Sequence, residues 1–383
     1  MNGQTSALKL GFIGGGLSSA IGKTHYSACR LDGYWEVVSG AFSRHADVNQ
    51  ATAKAWHIDP ERVYDSWRTM LTLEKERVDA IVLLTPTPNH AEILCELFRQ
   101  NIPVICEKAM VSSLAQLTEV QKVYDPNKHF LAVTYNYSAY PLVRELQEKI
   151  KNNELGTIQQ IHLEMPQEGF IRPPDIAGKS SPPQSWRLKD DIIPTICLDL
   201  GVHLHHLMVF LLAEEPDRVM AEFNHYSPYE GIIDNVSLWL RFASGKSASF
   251  WMTKTTIGSR NGLKLRVYGD KGSAEWVQVL PEELSFSNIN GIHTKIDRGS
   301  KAGISSQGRY NRMKVGHPSG FIEAFANLYQ DFAEALLQWR ETGKVSNSFV
   351  YGFDHAAKGL TLFHQARAAH QRGHWVNISG SEL

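Results

Sequence analysis

The stretch Leu8–His25, read as LKLGFIGGGLSSAIGKTH, constrains the chain more than any other. Leu8, Leu10, Phe12 and Ile13 form a short apolar run that stops at Gly14-Gly15-Gly16. A buried strand that ends in glycines and leads into a helix is the phosphate-binding turn of a dinucleotide fold. One glycine permits a turn closed to other residues, and a second lets the backbone approach a pyrophosphate. The helix N-terminus then presents free N–H groups to the anion. Gly14-x-Gly16 fits, but Ser19 stands where a third glycine belongs. Either Ser19 replaces that glycine, or the loop is three residues longer and Gly22 takes the place. Gly14, Gly16, Leu17, Ser19 and Gly22 are therefore the expected cofactor contacts of this turn.

Beyond the turn, strands and helices alternate. Helical spacing runs to about Asp32 and again over Asp47–Trp56, and Trp35–Phe42 reads as a strand. Val78–Thr85 is a continuous apolar run, as a strand buried on both faces requires. Pro86-Thr87-Pro88 launches a helix from Asn89, followed by strand Ile102–Cys106, helix Leu114–Tyr124 and strand Phe130–Thr134. This alternation predicts a doubly wound parallel sheet, a Rossmann domain over 1–137. At 383 residues the chain exceeds a single core. After helix Tyr140–Lys151 it becomes strand-rich: Thr157–Met165, Val219–Tyr226, Ile232–Phe242, Lys246–Thr255, Leu263–Tyr268 and Ala274–Val279. With helices at Cys197–Leu212, Phe321–Arg340 and His355–Arg372, an α+β domain with a large, mainly antiparallel sheet is expected over 138–383. The proline-rich stretch Pro166–Pro194 has the length of a lid.

A formal net charge of −1 argues against nucleic acid or an anionic membrane as partner. The run Leu207–Ala213 is too short to span a bilayer. The short polar tail Met1–Ala7 leaves no room for a signal peptide, so a cytoplasmic protein is expected. Cys29, Cys95, Cys106 and Cys197 form no CxxC pair and read as buried free thiols. The second strand ends Ala41-Phe42-Ser43-Arg44, without the carboxylate that would bind ribose hydroxyls. Ser43 and Arg44 suit a 2′-phosphate, so NADP is expected to bind at least as tightly as NAD.

Further pieces follow in order: Thr85-Pro86, Glu107-Lys108 in VICEKAM, Asp199-x-x-x-His203 in ICLDLGVHLHHL, Asn261–Gly269 and Gly316-His317-Pro318. With these motifs the chain resembles the Gfo/Idh/MocA oxidoreductases through nearly its whole length. The resemblance implies hydride transfer between nicotinamide and a ring carbon of a sugar, cyclitol or derivative. It places Lys108 beside nicotinamide and substrate, and Asp199 and His203 at the substrate, with His203 as acid/base. The chemistry agrees: a histidine titrates near working pH and can take the hydroxyl proton. A lysine ammonium can stabilise the developing alkoxide. Thr85, Pro86 and Glu107 are carried over as cofactor contacts. His90 is either a cofactor contact or an ordinary first-turn helix residue. Tyr135 and Tyr137 either line the substrate site or pack between domains. Arg172, Lys179, Arg187 and Lys189 either receive an anionic substituent or are simply solvated, and Arg187 is the one carried forward as a substrate contact. The family motif reads Glu-Lys-Pro, commonly with a cis bond before the proline, whereas this chain has Ala109. Lys108 is thus expected to be held less rigidly or by other contacts.

His203 and His206 share a helix face with Asp199, which invites a metal, but the family needs none and no cysteine is near. No metal is expected. Relatives that use the cofactor catalytically, in redox-neutral glycoside hydrolysis or epimerisation, would carry the same residues. A ligand-sensing regulator is a third reading, and Lys108, Asp199 and His203 together argue against it. Because Lys108 and His203 come from different domains, an interdomain cleft is expected to bring them together. Large apolar residues on both faces of Ile232–Phe242 and Lys246–Thr255 suggest a homodimer or homotetramer.

Overall fold

Continuous burial of Ala80–Leu84 and of Leu10–Ile13 fixes the centre of the first sheet. The structure is a computed structural model that describes residues 6–172, 183–300 and 303–378. Two units are distinguished: Met1–Ala139 with Gly320–Ala356, and Tyr140–Ser319 with Ala357–Leu383.

In the first unit the elements run β1 Leu8–Gly14, α1 Ala20–Arg30, β2 Trp35–Ala41, α2 Ala46–Trp56, α3 Trp67–Glu74, β3 Ala80–Leu84, α4 His90–Arg99, β4 Val104–Cys106, α5 Leu114–Gln121 and β5 Leu131–Val133. The five strands are parallel in the order β2-β1-β3-β4-β5. The order reverses beside β1, and in such sheets ligands bind beyond the strands' C-terminal ends at that reversal. Helix α3 was not read from the sequence. It is anchored by buried Glu74, which takes Arg62 and the Tyr64 hydroxyl (2.7 Å).

The second unit holds α6 Pro141–Lys151, β6 Ile158–Pro166, α7 Val202–Leu212, β7 Arg218–Asn224, β8 Asn235–Arg241, β9 Ser247–Thr253, β10 Lys264–Gly269, β11 Gly272–Val277, β12 Leu284–Asn288 and β13 His293–Ile296. Nine strands form one sheet, β13-β12-β11-β10-β6-β9-β8-β7 followed by β14 (Val376–Asn377), and only β6–β9 pair in parallel. The expected Rossmann sheet and large antiparallel sheet are both present.

Helix α8, Phe321–Thr342, was expected in the second domain and packs with the first unit instead. Its Phe325, Leu328, Tyr329, Phe332 and Leu336 share one apolar core with Leu10, Phe12, Ala28 and Trp35. Spacing of three and four residues puts these side chains on one helix face. Helix α9, Phe353–Arg372, follows.

The open face of the nine-stranded sheet is more polar than expected. In β8, Val236, Leu238 and Leu240 are buried, while Ser237, Trp239 and Arg241 alternate opposite them. Ile233 and Phe242 lie outside the strand. All four cysteines are buried and free, and burial pushes the Cys29 and Cys197 thiols far up. Among the described residues no helix is long and apolar enough to cross a membrane.

Candidate active site

At the end of β1 the backbone turns through Gly14 (φ 82°) and Gly15 (φ 72°), a left-handed conformation that favours glycine. Ser19 is not a lost glycine. It is the N-cap of α1, its hydroxyl accepting from the Gly22 amide at 3.2 Å. Gly22 makes the close approach of α1 to the glycine turn, because a Cβ there would lie 1.8 Å from the Gly15 carbonyl oxygen. The turn is thus the longer of the two forms the sequence allowed. The Leu17 amide donates to Thr52 Oγ1 (3.0 Å) and the Gly16 amide to the Phe42 carbonyl (3.2 Å), which fix the loop on α2 and β2. The opening amides of a helix have no partner within it. Together with a glycine cradle no side chain could share, they fit a dinucleotide pyrophosphate.

Other predicted residues follow neighbouring strands at the same sheet edge. After β2, Ser43 Oγ accepts from the His45 amide (3.1 Å), while the Asn49 side chain clamps the Ser43 backbone from both sides. Arg44 is exposed. Thr85 and Pro86 follow β3, and the buried Thr85 Oγ1 has no hydrogen-bond partner among the described residues. His90 is fully buried and faces three carbonyls: Thr85 at 2.8 Å from Nε2, and Ala109 and Met110 at 3.1 and 3.2 Å from Nδ1. Burial pulls its imidazole below the ordinary histidine value, against the opposing pull of those carbonyls and of Glu107. His90 therefore sits between the end of β3 and the backbone just after Lys108, the neutral ring donating to one side only. The Lys108–Ala109 peptide is cis although residue 109 is not proline.

Lys108 follows β4 and buried Glu107, whose carboxylate meets His25 Nε2 at 2.9 Å and accepts from Thr134 Oγ1 at 2.5 Å. Burial works to raise the Glu107 carboxyl, but His25, Lys108 and Thr134 together hold it below the usual value. Tyr135 and Tyr137 are buried, packed edge-on against His355 (5.2 Å) and tilted against Phe321 (6.2 Å).

In the second unit, Cys197–Gly201 form a π-turn that runs straight into α7. Such turns recur at functional sites. This one carries Asp199, and His203 follows one residue into α7, 5% exposed. Asp199 Oδ2 meets Arg187 Nη1 and Lys254 Nζ, each at 2.6 Å. Lys254 also donates to Gln167 Oε1 (2.6 Å), and Gln167 donates to Asn261 Oδ1 (3.0 Å). Arg187 stacks on Trp186 with its guanidinium 4.6 Å from the ring centre. Lys254 and Gln167 were missed in the sequence. The only signal was a lysine directly after a strand with an apolar face. Lys189 is exposed, Arg172 pairs with Glu168 (3.1 Å), and Lys179 lies outside the described residues, as does the 173–182 part of the expected lid. His205 pairs with Glu215 (2.9 Å) and the His206 ring lies tilted against Phe210.

A parallel sheet ending in a glycine turn, joined in one chain to a large antiparallel sheet bearing a charged cluster, defines a dinucleotide-binding oxidoreductase of two units. Residues 8–135 match the oxidoreductase family with an NAD-binding Rossmann fold, and residues 143–275 match the GFO/IDH/MocA C-terminal domain. The chain belongs to the Gfo/Idh/MocA oxidoreductase family. It is 26% identical to the uncharacterized oxidoreductase YfiI of Bacillus subtilis, covering 99% of both chains. It is 25% identical to inositol 2-dehydrogenase of Rhizobium meliloti over 74% of this chain and 80% of that one. An inositol dehydrogenase homolog of Azotobacter vinelandii, solved with NADH and myo-inositol, shares the fold. Its TM-score is 0.87 at 24% identity, over 97% of this chain and 98% of that one.

Proposed function

We propose that this protein is an NAD(P)-dependent dehydrogenase or reductase acting on a ring hydroxyl of a sugar, cyclitol or related polyol. The observation that carries the reading is Lys108, two positions past the end of β4 at the sheet end where the glycine turn closes β1. Inositol 2-dehydrogenase and the myo-inositol-bound homolog among its relatives support a polyol. Gly14, Gly16, Gly22 and the N-terminus of α1 would hold the pyrophosphate. The exposed Arg44 guanidinium, with no carboxylate ending β2, supports NADP bound at least as tightly as NAD. The nicotinamide supplies the hydride acceptor or donor.

His203 takes the hydroxyl proton during oxidation and returns it during reduction. The Lys108 ammonium stabilises negative charge on the same oxygen. Asp199, held by Arg187 and Lys254, accepts from a substrate hydroxyl. Thr85, Pro86 and His90 shape the nicotinamide end of the first unit. A second copy of the chain on the open sheet face would complete a homodimer or tetramer. The buried free thiols suit a reducing cytoplasm.

The test is reduction of NAD or NADP, followed by absorbance, against a panel of cyclitols, aldoses, sugar acids and glycosides. Reduced cofactor accumulating with one of them, and lost in Lys108→Ala and His203→Ala, supports the reading. Product formed without accumulation of reduced cofactor would replace it with redox-neutral chemistry. Full activity in His203→Ala would remove the assigned acid/base.

A further inference from the structure

Glu107 is the inner end of a buried chain of side chains that the proposed chemistry does not use. His25 Nε2 meets Glu107 Oε1 at 2.9 Å, and His25 Nδ1 meets the Tyr329 hydroxyl at 2.7 Å. Thr134 closes on the same carboxylate oxygen at 2.5 Å. His25, Thr134 and Tyr329 are at most 1% exposed. A Tyr329 hydroxyl donating to Nδ1, with Nε2–H donating to the carboxylate, satisfies both partners of the ring. The ring is also wedged edge-on between Phe325 (5.0 Å) and Tyr329 (5.7 Å), and Tyr329 is fixed in turn by Trp35 Nε1 donating to its carbonyl at 2.8 Å.

The three ends of this chain matter. His25 lies on α1, three residues after Gly22, so it moves with the helix whose N-terminus faces the glycine turn. Tyr329 lies on α8. Glu107 is the residue before Lys108. A carboxylate with so little solvent is costly unless its hydrogen bonds are made. The position of Glu107, and with it the backbone that launches Lys108, is therefore set by His25 together with Thr134.

We propose that His25 is a positioning residue for Lys108, acting through Glu107, so that the dinucleotide turn and the nicotinamide-side lysine are set as one piece. This rests on the reading of Lys108 given above. The experiment compares NADH with ADP-ribose, which lacks nicotinamide, by calorimetric titration of the full chain. In His25→Ala, ADP-ribose affinity should stay within about twofold, while NADH affinity falls about fivefold or more, the scale of one lost hydrogen bond. Lys108→Ala should show the same split. The double variant should be no weaker than Lys108→Ala by more than about twofold, because the two act through one contact. Tyr329→Phe, which removes a single oxygen, should show the split in smaller measure and carries the test if His25→Ala does not fold. Equal loss of both ligands, an unchanged ratio, or additive losses in the double variant would overturn the proposal. An unchanged ratio in Lys108→Ala itself would bring down the reading of Lys108, and this proposal with it.

Discussion

Lys254 Nζ stands 2.6 Å from Asp199 Oδ2, the same oxygen that receives Arg187 at 2.6 Å. Two cations thus converge on one carboxylate oxygen, and each is tolerable because the carboxylate is there. Asp199→Ala should leave the two cations facing each other and destabilise the protein by about 1–2 kcal/mol, less than a fully buried pair would because the Arg187 side chain is 30% exposed. Lys254→Met added to that variant should recover part of the loss, a coupling of about 1 kcal/mol or more by denaturant melts of the four-member cycle. Additive melts would show that the pairs contribute independently.

His203→Ala should lower turnover on the identified polyol by roughly 10²–10⁴-fold, the usual worth of a positioned acid/base. NADH affinity should remain nearly unchanged, since His203 belongs to α7 and the glycine turn to the first unit. Steady-state rates and NADH fluorescence titration separate the two effects. A large loss of NADH affinity would assign His203 to cofactor binding instead.

Arg44→Ala should weaken NADPH by about tenfold, on the scale of a lost charge-assisted contact, and leave NADH within about twofold. Paired titrations of wild type and variant measure this. NADH bound at least tenfold tighter than NADPH by the wild type would reverse the assignment.

His90 predicts a pH dependence. Burial lowers its folded value beneath the ordinary 6.5, so the unfolded chain binds more protons as pH drops. The stability tied to neutral His90 is therefore complete above pH 6.5 and lost as pH falls below it. Urea unfolding at about pH 7.5 and about pH 5.5 should show wild type losing more stability on acidification than His90→Gln. Parallel losses would assign the pH dependence to other groups.

Self-association should use the open face of the nine-stranded sheet, where Trp239 is 48% and Tyr268 38% exposed. Light scattering should give a mass above the 43.0 kDa chain, and Trp239→Lys with Tyr268→Lys should return it to monomer. A concentration-independent 43.0 kDa species in wild type would exclude this assembly.

The Rossmann half was legible because its signals are local. The apolar run before Gly14 and the run Val78–Thr85 announce buried parallel strands without reference to anything distant. Helix α8 was equally visible as a helix, but its partners are the core of α1 and β2, far back in the chain, so its unit was misread. The hairpin β12–β13 went unread because its strands are short, five and four residues, and Leu284 is the one buried side chain in them. For the proposed site, the resemblance to the family supplied Lys108, Asp199 and His203. Lys254 escaped because its meaning lies in Asp199 and Gln167, which are 55 and 87 positions away. Periodicity reports which face is buried and is silent on which distant groups share it.

The serine at the head of α1 has a consequence for anyone redesigning this protein. The chain divides between separate residues what a shorter turn asks of neighbouring glycines: Gly14 and Gly15 bend the backbone, Ser19 starts the helix, and Gly22 admits it against the turn. Replacing Ser19 by glycine to restore the familiar spacing would therefore repair nothing, and would remove a cap at a cost of a few tenths of a kcal/mol. The position that tolerates no side chain has moved inside the helix. An alanine at Gly22, harmless by helix propensity, would push α1 off the turn and take the dinucleotide's seat with it.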